Sequence, residues 1–290
     1  ANGRYSYLDP YTGAQLALSE AYRNVAATGA NPRAVSDCLN FGSPEDPEVM
    51  WQFAEAVRGL ADACMELGVP VTGGNVSLYN QTGTTPIHPT PVVAVMGVID
   101  TVERRLPSGW QDDGENLYLL GTTRPELDGS AWAGVIHDHL GGMPPAPNLA
   151  AEKALAGLMV VAAKDGLVTS AHDVSTGGLI QTLVEGVLRR GVGARVWLSE
   201  VMEDGDLDIT EALFSESVAR MVVSVAREDD VKFRGLCEGR GVPVARVGVT
   251  DVSLRGLDVA DHFSFDLEEL DALHRGTLPS VLGPVVGYQR

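Results

Sequence analysis

The chain has 290 residues, 44% hydrophobic and 21% charged, the proportions of a globular protein with room for one large or two ordinary domains. Its 21 basic and 39 acidic residues give a net charge of −18, which repels phosphate backbones and anionic lipid and argues against nucleic-acid and membrane binding. No apolar run approaches the roughly 20 residues of a membrane span, and no basic-then-apolar leader opens the chain. The start Ala1-Asn2-Gly3-Arg4, without methionine, is that expected of a processed product or a fragment. Cys38, Cys64 and Cys237 are odd in number and widely spaced, which fits reduced cytoplasmic thiols rather than a disulfide framework or a metal pair.

Residues 14–27 are helix-compatible, with Gly29 as a left-handed stop. Asp46-Pro47 opens the strongest helix, Asp as N-cap and Pro in the first turn. Its apolar stripe runs Val49, Phe53, Val57, Leu60, Cys64, Leu67 at helical spacing, and Gly68 ends it. Residues 69–72 then form a short strand leading into Gly73-Gly74. The β-branched run 91–99 predicts a strand buried on both faces. Residues 101–114 are charged and turn-rich, a linker. Beyond it the expected order is strand 117–120, helix 149–163, strand 168–171, helix 179–189, strands near 195–198 and 221–225, helix 229–238 and strand 242–247. The expected class is α/β with mixed α+β sheets, in two domains, 1–105 and 106–290.

Gly73-Gly74-Asn75-Val76-Ser77-Leu78-Tyr79-Asn80 has glycines that admit a close ligand and more hydrogen-bonding groups than a turn needs. It is neither a Walker loop nor a dinucleotide fingerprint; a tight strand-end turn and a phosphate-binding segment both remain open. Asn75 offers an amide oxygen to Mg²⁺, but a single neutral amide is not a site, so carboxylates come from elsewhere or Asn75 is only a hydrogen-bonding residue. Residues 36–42 read as a polar loop in which Asp37 either contacts a nucleotide or forms an Asx-turn. Ser170-Ala171-His172-Asp173-Val174-Ser175 lies at a strand end before a helix; neighbouring side chains cannot form a triad, and helix capping by Asp173 or Ser175 is the plainer reading. His137-Asp138-His139 has no partner at a zinc spacing and reads as a solvated turn.

In order, Tyr7–Ala14, Asp37–Gly42, Gly73–Asn80, Ala171–Ser175 with Gly177-Gly178, and Leu213–Ser217 resemble the large synthetase subunit of the small, multi-subunit type of phosphoribosylformylglycinamidine synthase. The resemblance spans nearly the whole chain and implies the C-terminal half of a duplicated, aminoimidazole-ribonucleotide-synthase-like architecture, its paired N-terminal domains sharing a barrel-like interface. It implies an ATP-dependent C–N ligase of de novo purine biosynthesis. The reaction takes formylglycinamide ribonucleotide, ATP and glutamine-derived ammonia to formylglycinamidine ribonucleotide. Position by position, it implies ATP contacts at Asp37 and Gly74, Mg²⁺ at Asn75 and ribonucleotide at Ser77, with the catalytic histidine in the missing N-terminal half. Implied partners are that half, a glutaminase subunit and a small bridging subunit, in the cytoplasm. Thr176 stands where the family often has Asp, and Val218 where a first-half loop has Gln, which implies a degenerate second site around Asp173 and Glu216. The alternatives are another superfamily enzyme (aminoimidazole ribonucleotide synthase, or a selenophosphate or thiamine-phosphate kinase) and a non-catalytic structural half.

Overall fold

In the computed structural model, which describes residues 1–283, capping side chains start the first helices. Asn2 caps α1 (Gly3–Leu8), and Asp9 caps α2 (Pro10–Ala27) by accepting from the Thr12 N–H at 3.0 Å. After Gly29 (φ +83°) comes β1 (Asn31–Asn40). Asp46 and Pro47 open α3 (Pro47–Leu67) as expected, and left-handed Gly68 ends it. On its stripe Val57 is exposed, and Ala56 is buried instead. Next are β2 (Val71–Ser77), the β3 (Gln81–Thr82) and β4 (Thr85–Pro86) hairpin, and β5 (Thr90–Val98). The strands β2-β1-β5 form one sheet, β1 parallel to β2 and antiparallel to β5. On one side of it, α2 and α3 bury Leu18, Tyr22, Leu60 and Leu67 against Val35 and Leu39.

The second layer contains β6 (Asn116–Leu120), α4 (Ala131–His137), α5 (Leu149–Asp165), β7 (Ser170–Asp173), α6 (Gly178–Arg190) and β8 (Gly193–Val196). It continues through α7 (Ser199–Gly205), α8 (Ile209–Phe214), β9 (Met221–Val225), α9 (Asp230–Gly239), β10 (Val244–Asp251), β11 (Gly256–Val259), β12 (Phe263–Asp266) and α10 (Leu267–Leu282). Seven strands pair in the order β12-β11-β8-β10-β6-β9-β7, antiparallel except for β8 with β11. Helices cover both faces, so β6 and β9 are buried at every residue. Leu117 and Leu119 join the α6 side, while Tyr118 and Leu120 join the α5 and α9 side, the two-residue alternation of a strand. The mixed sheets agree with the expected fold class.

Several expectations are corrected. Residues 36–40 are not a loop but the end of β1, where Val35 and Leu39 fix one face in the core and polar side chains alternate with them. Gly73 and Gly74 lie inside β2 rather than after a strand. The run 91–99 is a strand, but only one face is covered: Val93 and Val95 pack on the helix-side core, while Val92, Met96 and Val98 alternate with them and are exposed. The 101–114 segment is docked: Leu106 and Trp110 are buried, and Leu106 N–H donates to the Thr28 carbonyl at 3.0 Å. Neither Asp173 nor Ser175 caps α6, because Asp173 is a strand residue and left-handed Gly177 occupies the cap. The expected C-terminal domain runs to residue 290, and residues 284–290 lie outside the described ones.

Candidate functional site

The parallel register of β1 and β2 sets Asp37 beside Gly74, Cys38 beside Asn75, and Asn40 beside Ser77. Registered residues share a face, and successive residues alternate. Asp37 and Gly74 therefore belong to the helix-covered side, and Asn75 and Ser77 to the open side. A Cβ on Gly74 would collide with Asp37 Oδ1. Only glycine leaves that carboxylate its place. Among the described residues the Asp37 carboxylate accepts no hydrogen bond, and burial raises its pKa above the usual range. Its charge reaches α3, where burial and then Asp37 raise the pKa of the Cys64 thiol.

On the open side, Asn75 Nδ2 donates weakly to Cys38 Sγ at 3.7 Å. Ser77 is tied to Asn80, whose Nδ2 donates to Ser77 O at 2.9 Å, Ser77 Oγ at 3.0 Å and Phe41 O at 3.1 Å. Tyr79 turns the chain at φ +60°, its N–H on the Gly42 carbonyl at 2.8 Å. Asn40 Nδ2 bonds Cys38 O at 2.8 Å and Thr90 O at 3.2 Å, joining β1 to β5. The four residues singled out from sequence thus lie on one strand pair, two per face. Asn40 and Asn80, which hold the backbone around them, were visible in the motifs only as surplus polar groups.

The second motif cluster is filled by its own side chains. Glu216 Oε1 accepts from Ala131 N–H at 2.7 Å and Gly177 N–H at 2.9 Å, and the Tyr5 hydroxyl donates to its other oxygen. Burial, then the Glu216 charge, raises the Tyr5 pKa far above its ordinary value. The cavity beside them, lined by Tyr5, Arg23, Ser175, Thr176 and Glu216 among others, measures about 30 Å³, space for a water rather than a nucleotide. Arg220 is wholly buried, donating to Ser217 O at 2.9 Å, Thr123 Oγ1 at 2.9 Å and Ser215 O at 2.5 Å. Burial, reinforced by Arg23, lowers its pKa to about 9. Nearby, Arg23 pairs with Glu152, which also takes the Ala219 N–H at 2.9 Å. Partners 129 residues apart leave no local sequence signal. His172 bridges the Asp173 carbonyl at 2.8 Å and Glu185 at 2.9 Å. Residues 137–139 are exposed, with Asp138 left-handed at the end of α4.

The chain is thus a mixed α/β protein of two sheets joined through α2, with polar residues gathered on the β1–β2 pair. The chain belongs to the AIR synthase related protein family: its N-terminal domain matches residues 1–99 and its C-terminal domain residues 112–255. It is 65% identical over 290 residues to a phosphoribosylformylglycinamidine synthase subunit PurL of Leifsonia xyli, covering 99% of this chain and 38% of the relative. It is 60% identical over 281 residues to the Streptomyces coelicolor subunit of that name, covering 97% and 36%. Thus the chain spans just over a third of the length of these relatives. Its fold matches T. maritima PurL complexed with FGAR at a TM-score of 0.76 and 21% identity, over 93% of this chain and 44% of the other. The same T. maritima protein has also been solved with ATP and in a PurLQS structure.

Proposed function

We propose that this chain is the C-terminal half of a phosphoribosylformylglycinamidine synthase and forms one wall of its ATP and ribonucleotide site. The whole enzyme would convert formylglycinamide ribonucleotide, ATP and ammonia to formylglycinamidine ribonucleotide, ADP and phosphate, in the cytoplasm. The observation that carries this reading is the Asp37–Gly74 pair backing Asn75 and Ser77 on a sheet face left uncovered. Its apolar positions Val92 and Met96 are exposed, as a wall awaiting its opposite would have them. That opposite is the N-terminal half of the subunit. The likeness to PurL subunits supports the reading, and the PurLQS structure of the T. maritima protein supports further partners, which we take to be a glutaminase and a small bridging subunit. The boundary between the two domains falls, in this reading, at 105/106.

In this reading ATP sits at the exposed edge strand β2. There Asp37, part-buried and without an internal donor, accepts from the ATP hydroxyl or amino groups past Gly74, while Asn75 and Ser77 serve the open face. The negative charge of Asp37 would repel the phosphates. The Gly74 backbone lets the nucleotide approach closely. Among the described residues no group of three or more His, Cys, Asp and Glu is placed to hold a metal, so Asn75 would give Mg²⁺ one amide oxygen, and phosphates, water and the other half would complete the shell. Bound there, the ion would neutralise phosphate charge. The Ser77 hydroxyl, positioned by Asn80, holds the ribonucleotide. The amide oxygen of the substrate takes the γ-phosphoryl group, and ammonia then displaces phosphate at that carbon; no residue of this chain serves as acid or base.

Mixed with the N-terminal half, the protein should form ADP only with substrate and ammonia present. Asn75→Ala should cut turnover at least ~100-fold, about 2.7 kcal/mol of transition-state stabilisation. Full activity in that variant would remove Asn75 from the site, and ATP hydrolysis by this chain alone would overturn the half-site reading.

A further inference from the structure

We propose that the cleft between the start of β1, the end of β5 and the last turn of α5 binds a small phosphorylated molecule with a flat apolar body. The cleft has a volume of about 470 Å³, within the size range of small-molecule sites. Its lining combines three cations, Arg33, Arg104 and Lys164, with three branched aliphatic residues, Val98, Ile99 and Val160. In a chain of net charge −18, this is a local reversal of sign. None of the three cations forms an ion pair among the described residues, and Asp100 is the one acidic residue in the lining.

Two backbone features aim these charges. The β1–β5 register skips from Pro32 opposite Gly97 to Ala34 opposite Met96, leaving Arg33 as the extra residue of a β-bulge. A bulge redirects the side chain it carries. Arg104 Nη1 lies 2.6 Å from the position a Cβ on Gly166 would take, and left-handed Gly166 caps the C-terminus of α5. The guanidinium therefore rests on the negative end of a helix, with Lys164 in the same last turn. That end carries roughly half a negative charge, too little to neutralise three cations. Their donors stay free for a phosphate dianion, while the aliphatic side chains suit a base or similar ring. Arg33 and Asp37 are four residues apart on β1, roughly 13 Å at strand rise, so the cleft is separate from the Asp37–Ser77 site.

The test is AMP titrated into the methyl-labelled chain and followed by NMR. Saturable shifts are expected at the Val98, Ile99 and Val160 methyls. Adenosine should leave them unmoved, and salt raised from about 50 to about 300 mM should weaken binding, as screening requires. The exposed double variant Arg33→Ala/Arg104→Ala should stay folded and lose at least ~10-fold in affinity, with Arg33→Lys alone keeping most of it. The shifts should persist when the complementary half is bound. The assignment is overturned by equal binding of adenosine, an undiminished double variant, shifts confined to Val71 and Val76, no saturable shift, or loss of the shifts in the assembled protein.

Discussion

The Asp37 carboxylate lies against Gly74 on the neighbouring parallel strand, so close that any β-carbon at 74 would strike it. Gly74→Ala must therefore displace Asp37 or bend β2. Overpacking of this kind costs about 1–3 kcal/mol, and urea melts should show it, with nucleotide affinity falling at least ~10-fold. Asp37→Ala/Gly74→Ala should recover stability without recovering binding, a coupling that a double-mutant cycle measures. Additive single-variant effects would mean the two positions do not meet.

The uncovered face of β5 gives a second expectation. Val92→Glu and Met96→Glu alter side chains that are 42% and 66% exposed, so stability of the chain alone should change by no more than ~0.5 kcal/mol. Association with the complementary half, followed by sedimentation, should weaken at least ~10-fold, because each change buries a charge there. Unchanged sedimentation would place the partner elsewhere.

Arg23 and Glu152 are both buried, at 4% and 1% exposure. Burial pushes the Glu152 pKa up, against the pull of Arg23 and the Ala219 N–H. Arg23→Met would strand the carboxylate and should cost about 3–5 kcal/mol. Arg23→Met/Glu152→Leu should be less destabilised than Arg23→Met alone; denaturant midpoints that rank the other way would contradict an ion-pair role.

For His172, burial favours the neutral ring but is outweighed by the Glu185 hydrogen bond and the Asp173 carbonyl, so its pKa rises above 6.5. Glu185, with His172 as the leading cause, falls to about 2. The histidine contribution is complete below about pH 6.5 and fades as pH climbs through its raised folded value. The glutamate contribution is complete above about pH 4.5 and is lost as pH falls toward 2. Both are therefore present together between about pH 4.5 and 6.5. Glu185→Gln should flatten the stability-versus-pH curve on either side of that window; a curve of unchanged shape would rule the pair out as its source.

The helix bounded by Asp46-Pro47 and Gly68, and the one expected over 149–163, were legible because caps and periodicity act within one turn. So were β6 and β9, as short apolar runs. The Asp37 strand was read as a loop because its polar residues hid the alternation of Val35, Leu39 and Phe41 about them. The glycines of β2 looked like a turn for lack of any sign that a carboxylate needed the space. For β5, composition showed a strand but not which face lacked a cover. The motif residues themselves were visible, but their split across two faces depends on register, which arises from pairing across 37 residues. Short α4, α7 and α8 have too few turns for a periodic signal, and the Glu216 and Arg220 networks are wholly tertiary.

Helix α2 touches α3 and β5 on one side and α5 and β7 on the other, and its Arg23 grips Glu152 and the Val174 carbonyl beyond it. The helix is thus a strut shared by both sheets, which works against any hinge at the 99–115 connection. Through Arg23, Glu152 and the Ala219 N–H, one continuous chain of contacts runs from the β1 sheet to the backbone beside β9.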